Sequence, residues 1–242
     1  ILTNPKRLTV NPLPINRNII AMDEYLCYNT GTTIRIQNAE DGITYTLVDD
    51  QGGAPQVQTH NGLGNEDFAV GPFTPAGLTQ YTFTITAESP EGCTYELTDN
   101  PIVTVNGQVI LDPVTHPDIC EYENIDLPQA PSSGGSIGNG GFEWTWTGTS
   151  IAGSITDRDP APFPPTVLGT HNMTLNVKDA RFRDVISNDN TVCEATRNFS
   201  FEVNPQPLDK NASGPGLICY NTSADITIES SENGIEYSLY NM

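Results

Sequence analysis

The sequence is short of basic residues: ten Lys and Arg stand against 30 Asp and Glu, a net charge of −20 over 242 residues. That balance argues against a nucleic-acid partner, because phosphate binding needs a basic patch with counterions to release. Charge of either sign is sparse, at 17% of residues against roughly 25% in an ordinary globular domain. No apolar run approaches the roughly 18 residues of a membrane span. No window holds an apolar stripe at helical spacing over three turns. Catalytic motifs are missing too: there is no Gly-x-Ser-x-Gly elbow, no His-Glu-x-x-His and no Cys-x-x-Cys. The first residues carry no initiator Met and no signal-peptide pattern. The alternation from Ile226 to Tyr240 stops in mid-pattern, so the expectation is a segment of a longer polypeptide.

What is present is strand. Tyr81, Phe83, Ile85 and Ala87 alternate with threonines, Met173, Leu175 and Val177 with Asn and Thr, and Phe142, Trp144 and Trp146 with Glu and Thr. A period of two with one apolar face is the pattern of half-buried antiparallel strands. Turn pairs punctuate the runs, among them Asp41-Gly42, Asn61-Gly62, Glu91-Gly92 and Asn233-Gly234. Nine Tyr, eight Phe and two Trp suffice for a core. The fold expected is an all-β sandwich.

The chain repeats itself. Cys27-Tyr28-Asn29-Thr30 and Cys219-Tyr220-Asn221-Thr222 open two segments that align without gaps, with Ile34/Ile226, Ile36/Ile228, Ile43/Ile235, Tyr45/Tyr237 and Leu47/Leu239 coinciding. The offset, 219 − 27 = 192, suits two units of about 96 residues. Val10-Asn11, Val105-Asn106 and Val203-Asn204 each close a strand-like stretch, and Cys27, Cys120 and Cys219 follow. Cys93 and Cys193 come after strands that align position by position. The partition expected is the tail of one repeat (1–19), two whole repeats (20–106 and 107–204) and the start of another (205–242).

Five cysteines with one left over allow fifteen pairings. Repetition favours Cys27–Cys93 and Cys120–Cys193, with the partner of Cys219 outside the segment. This pairing makes a geometric demand. Both cysteines begin a strand, so they share a pole only if an even number of strands lies between them. Four are read in the first repeat, near 32–38, 43–49, 66–72 and 80–87. A fifth near Pro55–Thr59 would put the two sulfurs at opposite poles, beyond the roughly 7 Å limit on Cα separation. Disulfides point to an extracellular location. Zinc ligation is the rival reading, and isolated histidines speak against it.

The string Tyr81-Thr-Phe-Thr-Ile-Thr-Ala-Glu-Ser-Pro-Glu-Gly-Cys93 resembles the Tyr-Thr-Val-Thr-Val-Thr…Gly-Cys endings of repeats in large surface proteins of the Bacteroidota. The Cys-led openings with their Gly-Ile-Thr-Tyr-Thr-Leu run, and the Phe-Glu-Trp-Thr-Trp-Thr-Gly strand, are similar to the Ig-like and PKD-like modules of the same proteins. The resemblance covers the whole chain at the level of repeat pattern. It implies tandem Ig-like/PKD-like sandwiches in a SprB-type gliding-motility adhesin or a related type IX secretion substrate. Such a protein is non-enzymatic, lies at the cell surface, and gives reach and adhesion. Its expected partners are neighbouring repeats, a surface glycan or protein, and the secretion and gliding machinery. A different reading is a spacer or glycan-binding module attached to a secreted polysaccharide-degrading enzyme.

Candidate sites are few. His60, His116 and His171 read as solvated residues of loops and strand starts. The Gly-rich run 132–141 has no helix after it, so the phosphate-cradle logic fails and it reads as an inter-strand loop. Phe142, Trp144 and Trp146 read as core, Trp144 the most buried and Trp146 the likelier to be partly exposed, with a sugar-stacking platform as the other reading. The approach to Cys193 is the most distinctive feature. Ala87 is six residues from Cys93, whereas Val177 is sixteen from Cys193. The extra stretch begins Arg181, Phe182, Arg183, Asp184 in a chain poor in basic residues. A loop presented by a rigid sandwich can contact an acidic glycan, the neighbouring repeat or another protein. It can equally be a length variation with local Arg–Asp pairing. No cofactor is expected. Asp157, Asp159 and Asp189 offer oxygen ligands of the hardness calcium prefers, at no recognised spacing.

Overall fold

The computed structural model describes residues 7–130, 132–136, 141–187 and 191–240. Two β-sandwiches follow each other, each with its own apolar core: one built from Ile19 to Val105, the other from Leu111 to Val203. Their strands are antiparallel with few exceptions, in Ig-like fashion.

In the first sandwich the chain runs through β1 (Ile19–Ala21), β2 (Tyr25–Leu26), β3 (Thr30–Ile36), β4 (Thr44–Asp49), β5 (Gln56–Thr59), β6 (Glu66–Phe73), β7 (Thr79–Glu88), β8 (Thr94–Glu96) and β9 (Ile102–Val105). One sheet has the order β1-β3-β6; the other has β2-β9-β7-β4-β5, with β8 also on β7. Period-two alternation turns Ile34, Ile36, Tyr45, Leu47, Phe68, Phe83 and Ile85 into the space between the sheets. The Tyr45 hydroxyl, inside the core, accepts the amide of Glu40.

The second sandwich comprises β10 (Val109–Leu111), β11 (Ile119–Cys120), β12 (Ser132–Gly134), β13 (Phe142–Gly148), β14 (Gly169–Asp179) and β15 (Glu194–Asn204). Its main sheet has the order β11-β15-β14-β13, faced by the β10-β12 pair and by irregular segments that bring in Ile125, Leu127 and Ala130. A single turn of π-helix, Phe182–Ser187, follows β14.

The two sandwiches match in detail. Leu26 pairs in parallel with Val105 at the end of β9, and Ile119 pairs in parallel with Val203 at the end of β15. The Ser89 amide donates to the Cys93 carbonyl at 2.9 Å, as the Asp179 amide donates to the Cys193 carbonyl at 2.9 Å. Residues 205–240 copy the opening of the first sandwich. β16 (Ala212–Ser213) pairs with β17 (Thr227–Ile228), and the Tyr237 hydroxyl accepts the Glu232 amide as Tyr45 accepts that of Glu40. Ile226, Ile228, Ile235, Tyr237 and Leu239 line an open apolar cavity there, where their counterparts in the first repeat fill a core.

Two expectations are corrected. The segment before His60 is a strand, β5, paired with β4 from Thr44/Thr59 to Leu47/Gln56. Five strands therefore separate Cys27 from Cys93, and the two lie at opposite poles of one sandwich. Neither Cys27–Cys93 nor Cys120–Cys193 forms. The disulfide joins Cys27 to Cys193, across the two sandwiches, and Cys93, Cys120 and Cys219 are thiols. The aromatic order is also reversed. Trp146 is fully buried, with its indole N–H donating to the Asp157 carbonyl, while Trp144 is half-buried. β13 is the outermost strand of its sheet, and the Trp144 indole lies at that margin, where Ser132 Oγ accepts its N–H and Arg158 lies over its face.

Candidate functional site: the junction between the sandwiches

The densest polar arrangement that links the two cores is their junction. It starts from Val105-Asn106-Gly107. β9 ends at Val105, and the Asn106 amide donates to the Leu26 carbonyl at 2.8 Å, which holds Asn106 at the pole of the first sandwich. Its side chain points out of that pole into the second sandwich. There Asn106 Nδ2 donates to Asp179 Oδ2 at 3.0 Å, and both residues are at most 1% exposed.

Asp179 is the last residue of β14, and its carboxylate gathers four donors. Oδ2 takes Asn106 Nδ2 and the Ser136 amide (2.6 Å); Oδ1 takes the Ser136 hydroxyl (2.9 Å) and the Phe182 amide (2.9 Å). A buried charge is tolerated when its lone pairs are met in this way. One carboxylate thus ties together the end of the first sandwich, the loop after β12 and the start of the π-helical turn.

That turn is the inserted stretch singled out in the sequence. Phe182 is fully buried and meets Tyr25 of the first sandwich edge-on, with ring centroids 6.5 Å apart. Arg183 folds back on its own sandwich, bidentate to Glu143 at 3.0 Å for each oxygen. Arg181 is exposed. The side chain of Asp184 lies outside the described residues, and so does Asp189.

Two further contacts lock the junction. Cys27 leads the turn that follows β2, Cys193 directly precedes β15, and their sulfurs are bonded. Gly107 is buried between the two bodies: a Cβ there would stand 2.7 Å from Gly77 Cα on one side and 3.0 Å from the Gly135 carbonyl on the other. Only glycine lets the backbones approach so closely. Its neighbour Gln108 accepts the Gly135 amide at 2.8 Å.

The remaining candidates lie elsewhere. Asp157 and Asp159 occupy one exposed turn, in which Asp157 Oδ1 accepts the Asp159 amide. Among the described residues no group of three or more His, Cys, Asp or Glu is placed to hold a metal ion. Two histidines read as solvated are in fact buried. His171 bonds Ser150 Oγ and the Val167 carbonyl and stacks on Phe201, and His60 bonds Glu66 at 2.6 Å. Their partners are structural, and the three histidines are not brought together. No helix among the described residues is long and apolar enough to cross a membrane.

No protein-family profile matches the chain. No curated protein matches it either. Among solved structures it is similar to protocadherin gamma B2 extracellular cadherin domains 3–6, at 11% identity over 85% of this chain and 53% of that one, with a TM-score of 0.31. Drosophila N-cadherin EC1-4 matches at 11% identity over 79% of this chain and 50% of that one, TM-score 0.35. A 1.5-MDa bacterial ice-binding adhesin, in a structure concerned with host cell surface retention, matches at 10% identity over 79% and 65%, TM-score 0.33. The chain spans about half to two thirds of the length of these solved chains.

Proposed function

We propose that this chain is a non-enzymatic repeat segment of a long, extracellular, surface-attached protein of the adhesin or filament type. Its output is reach: sandwiches set end to end at fixed orientation. The observation that carries the reading is the junction, where a disulfide, a four-donor carboxylate, a buried aromatic pair and a backbone-to-backbone glycine contact all fall between two bodies that each have a complete core. A simple linker needs none of these. The disulfide favours an oxidising location. The surplus acid suits solubility in a crowded array. The finer reading, a gliding-motility adhesin exported by type IX secretion, is supported by the repeat pattern described above.

Spin labels on one exposed strand position of each sandwich test the reach. A single narrow distance distribution is expected in the oxidised chain, and a broad one after Cys27→Ser combined with Asp179→Ala. An equally broad distribution in the unaltered chain would overturn the rod. Protease shaving of intact source cells tests the location, and release of the linked Cys27–Cys193 peptide is expected. Its recovery only after lysis would exclude a surface array.

A further inference from the structure

We propose that the Cys27–Cys193 bond is one rung of a staggered series, in which the opening cysteine of each repeat bonds the closing cysteine of the repeat that follows. Cys120 then takes the closing cysteine of a following repeat, and Cys93 takes the opening cysteine of a preceding one. The partner in each case is another copy of this repeat unit. The inference rests on the reading of the chain as a repeat segment.

The three opening cysteines are presented alike. After Cys27 the Thr30 amide donates to the Cys27 carbonyl at 3.3 Å, after Cys120 the Glu123 amide donates at 3.1 Å, and after Cys219 the Thr222 amide donates at 3.1 Å. The third residue of each turn has positive φ: Asn29 at 62°, Tyr122 at 72° and Asn221 at 61°. A bulky Tyr in that region is unfavourable unless the turn is needed. The residue before Cys27 and the residue before Cys120 sit in the same parallel register against the end of the last strand. Cys120 thus stands at the outgoing pole of its sandwich, as Cys27 does.

The closing cysteines match in the same way, through the Ser89 and Asp179 amide bonds to Cys93 and Cys193. Cys93 therefore faces the incoming pole. Opening and closing cysteines of one repeat are a whole sandwich apart and cannot meet. Bonding between neighbours is the arrangement left, and the structure already contains one instance.

The groups around each thiol fit the same docking. Asn106 is buried against the second sandwich, whereas Asn204, its counterpart beside Cys120, is exposed and has an amide to offer. Ser89 stands in the place of Asp179 beside Cys93 and supplies a hydroxyl acceptor for an incoming amide. Each bond forms by exchange. A cysteine thiolate attacks a small-molecule disulfide and displaces one small thiolate, and the neighbouring thiolate then attacks the protein sulfur of the mixed disulfide and displaces the other. The two cysteines lose two electrons and two protons, and the small-molecule disulfide takes up both to become two thiols.

The test continues the chain at its own period. Residues 1–211 are followed by residues 20–204, because position 212 lies 192 residues after position 20. The protein is refolded in oxidised and reduced glutathione and its peptides are mapped without reductant. The expected map joins Cys27 to Cys193 and Cys120 to the second copy of Cys93, and both links vanish with dithiothreitol. Cys120 left free or joined to any other cysteine, with Cys27–Cys193 intact, would overturn the lacing and leave the rod in place. Loss of Cys27–Cys193 as well would overturn both.

Discussion

The approaches to Cys93 and to Cys193 start from one plan. In each, an amide four or fourteen residues upstream donates to the cysteine carbonyl at 2.9 Å. The first approach is a tight Pro-Glu-Gly turn, and the Ser89 hydroxyl beside it accepts the local Cys93 amide. The second carries ten more residues, Phe182 among them, and has Asp179 in the place of Ser89, with a carboxylate that gathers four donors. The lesson is that an insertion can leave a hairpin's frame intact and turn its end into an interface. Phe182, in the extra stretch, does not project into solvent; it points at the neighbouring body.

That contrast can be broken at several places. Cys27→Ser should have the largest effect. Opening a loop of sequence separation 166 costs up to about 5 kcal/mol in the chain-entropy model. The same change at Cys93, a thiol in this chain, should move the thermal midpoint hardly at all. Denaturant melts of the two variants, without reductant, check the difference. Asp179→Ala comes next. It strands the Asn106, Ser136 and Phe182 donors in a buried site, for a loss of about 3 kcal/mol. Ser89→Ala should cost no more than about 1 kcal/mol, because a single 3.3 Å bond is lost. Equal losses at the two positions would show that the two ends are not used differently.

Phe182→Ala sharpens the comparison further. Truncating a buried ring costs about 3 kcal/mol or more in a core, and less where the site can collapse. Here the loss should be accompanied by a wider spin-label distance distribution, which a purely internal core mutation would not give. The smallest effect belongs to a pair far from the junction. Arg35 holds the Asp67 carboxyl below the usual carboxylate range through its hydrogen bonds and charge. The folded-state pKa lies below that of the unfolded chain. This pair's contribution is therefore present above the unfolded Asp value and fades as pH falls through the folded one. Asp67→Asn should flatten the acid limb of a stability–pH profile slightly and leave the neutral value nearly unchanged.

Much of the architecture is legible in the residues, and the gaps have physical causes. The long strands β3, β4, β6, β7, β13 and β14 alternate strongly because one face is buried, and the first four lie within a residue or two of the expected spans. β5 reads Gln-Val-Gln-Thr, an edge strand with a single, exposed apolar residue, so no alternation announces it. Missing it inverts the parity between Cys27 and Cys93, and with that the whole disulfide pattern. The Val-Asn punctuation is visible three times in the sequence. The job of Asn106 is not, because its partner Asp179 is 73 residues away and nothing local couples them. Phe182 in a run of charged residues is a fair signal of an interface, but the residues alone do not say which surface it meets. The buried histidines are hidden for a similar reason: Ser150 and Val167, which satisfy His171, come from a loop with no periodicity.

The Cys27–Cys193 bond has one more consequence, for tension. A pull applied to the two ends of the chain enters at residue 27 and leaves at residue 193 through two sulfur atoms. The intervening backbone, which would otherwise pay out to about 550–600 Å when fully extended, stays slack. The hydrogen bonds that β3 to β9 and β10 to β14 make among themselves are then out of the load path, which runs through β1 and β2 before Cys27 and through β15 after Cys193. Even if one of the sandwiches opened under force, the distance between the two anchor points would not grow.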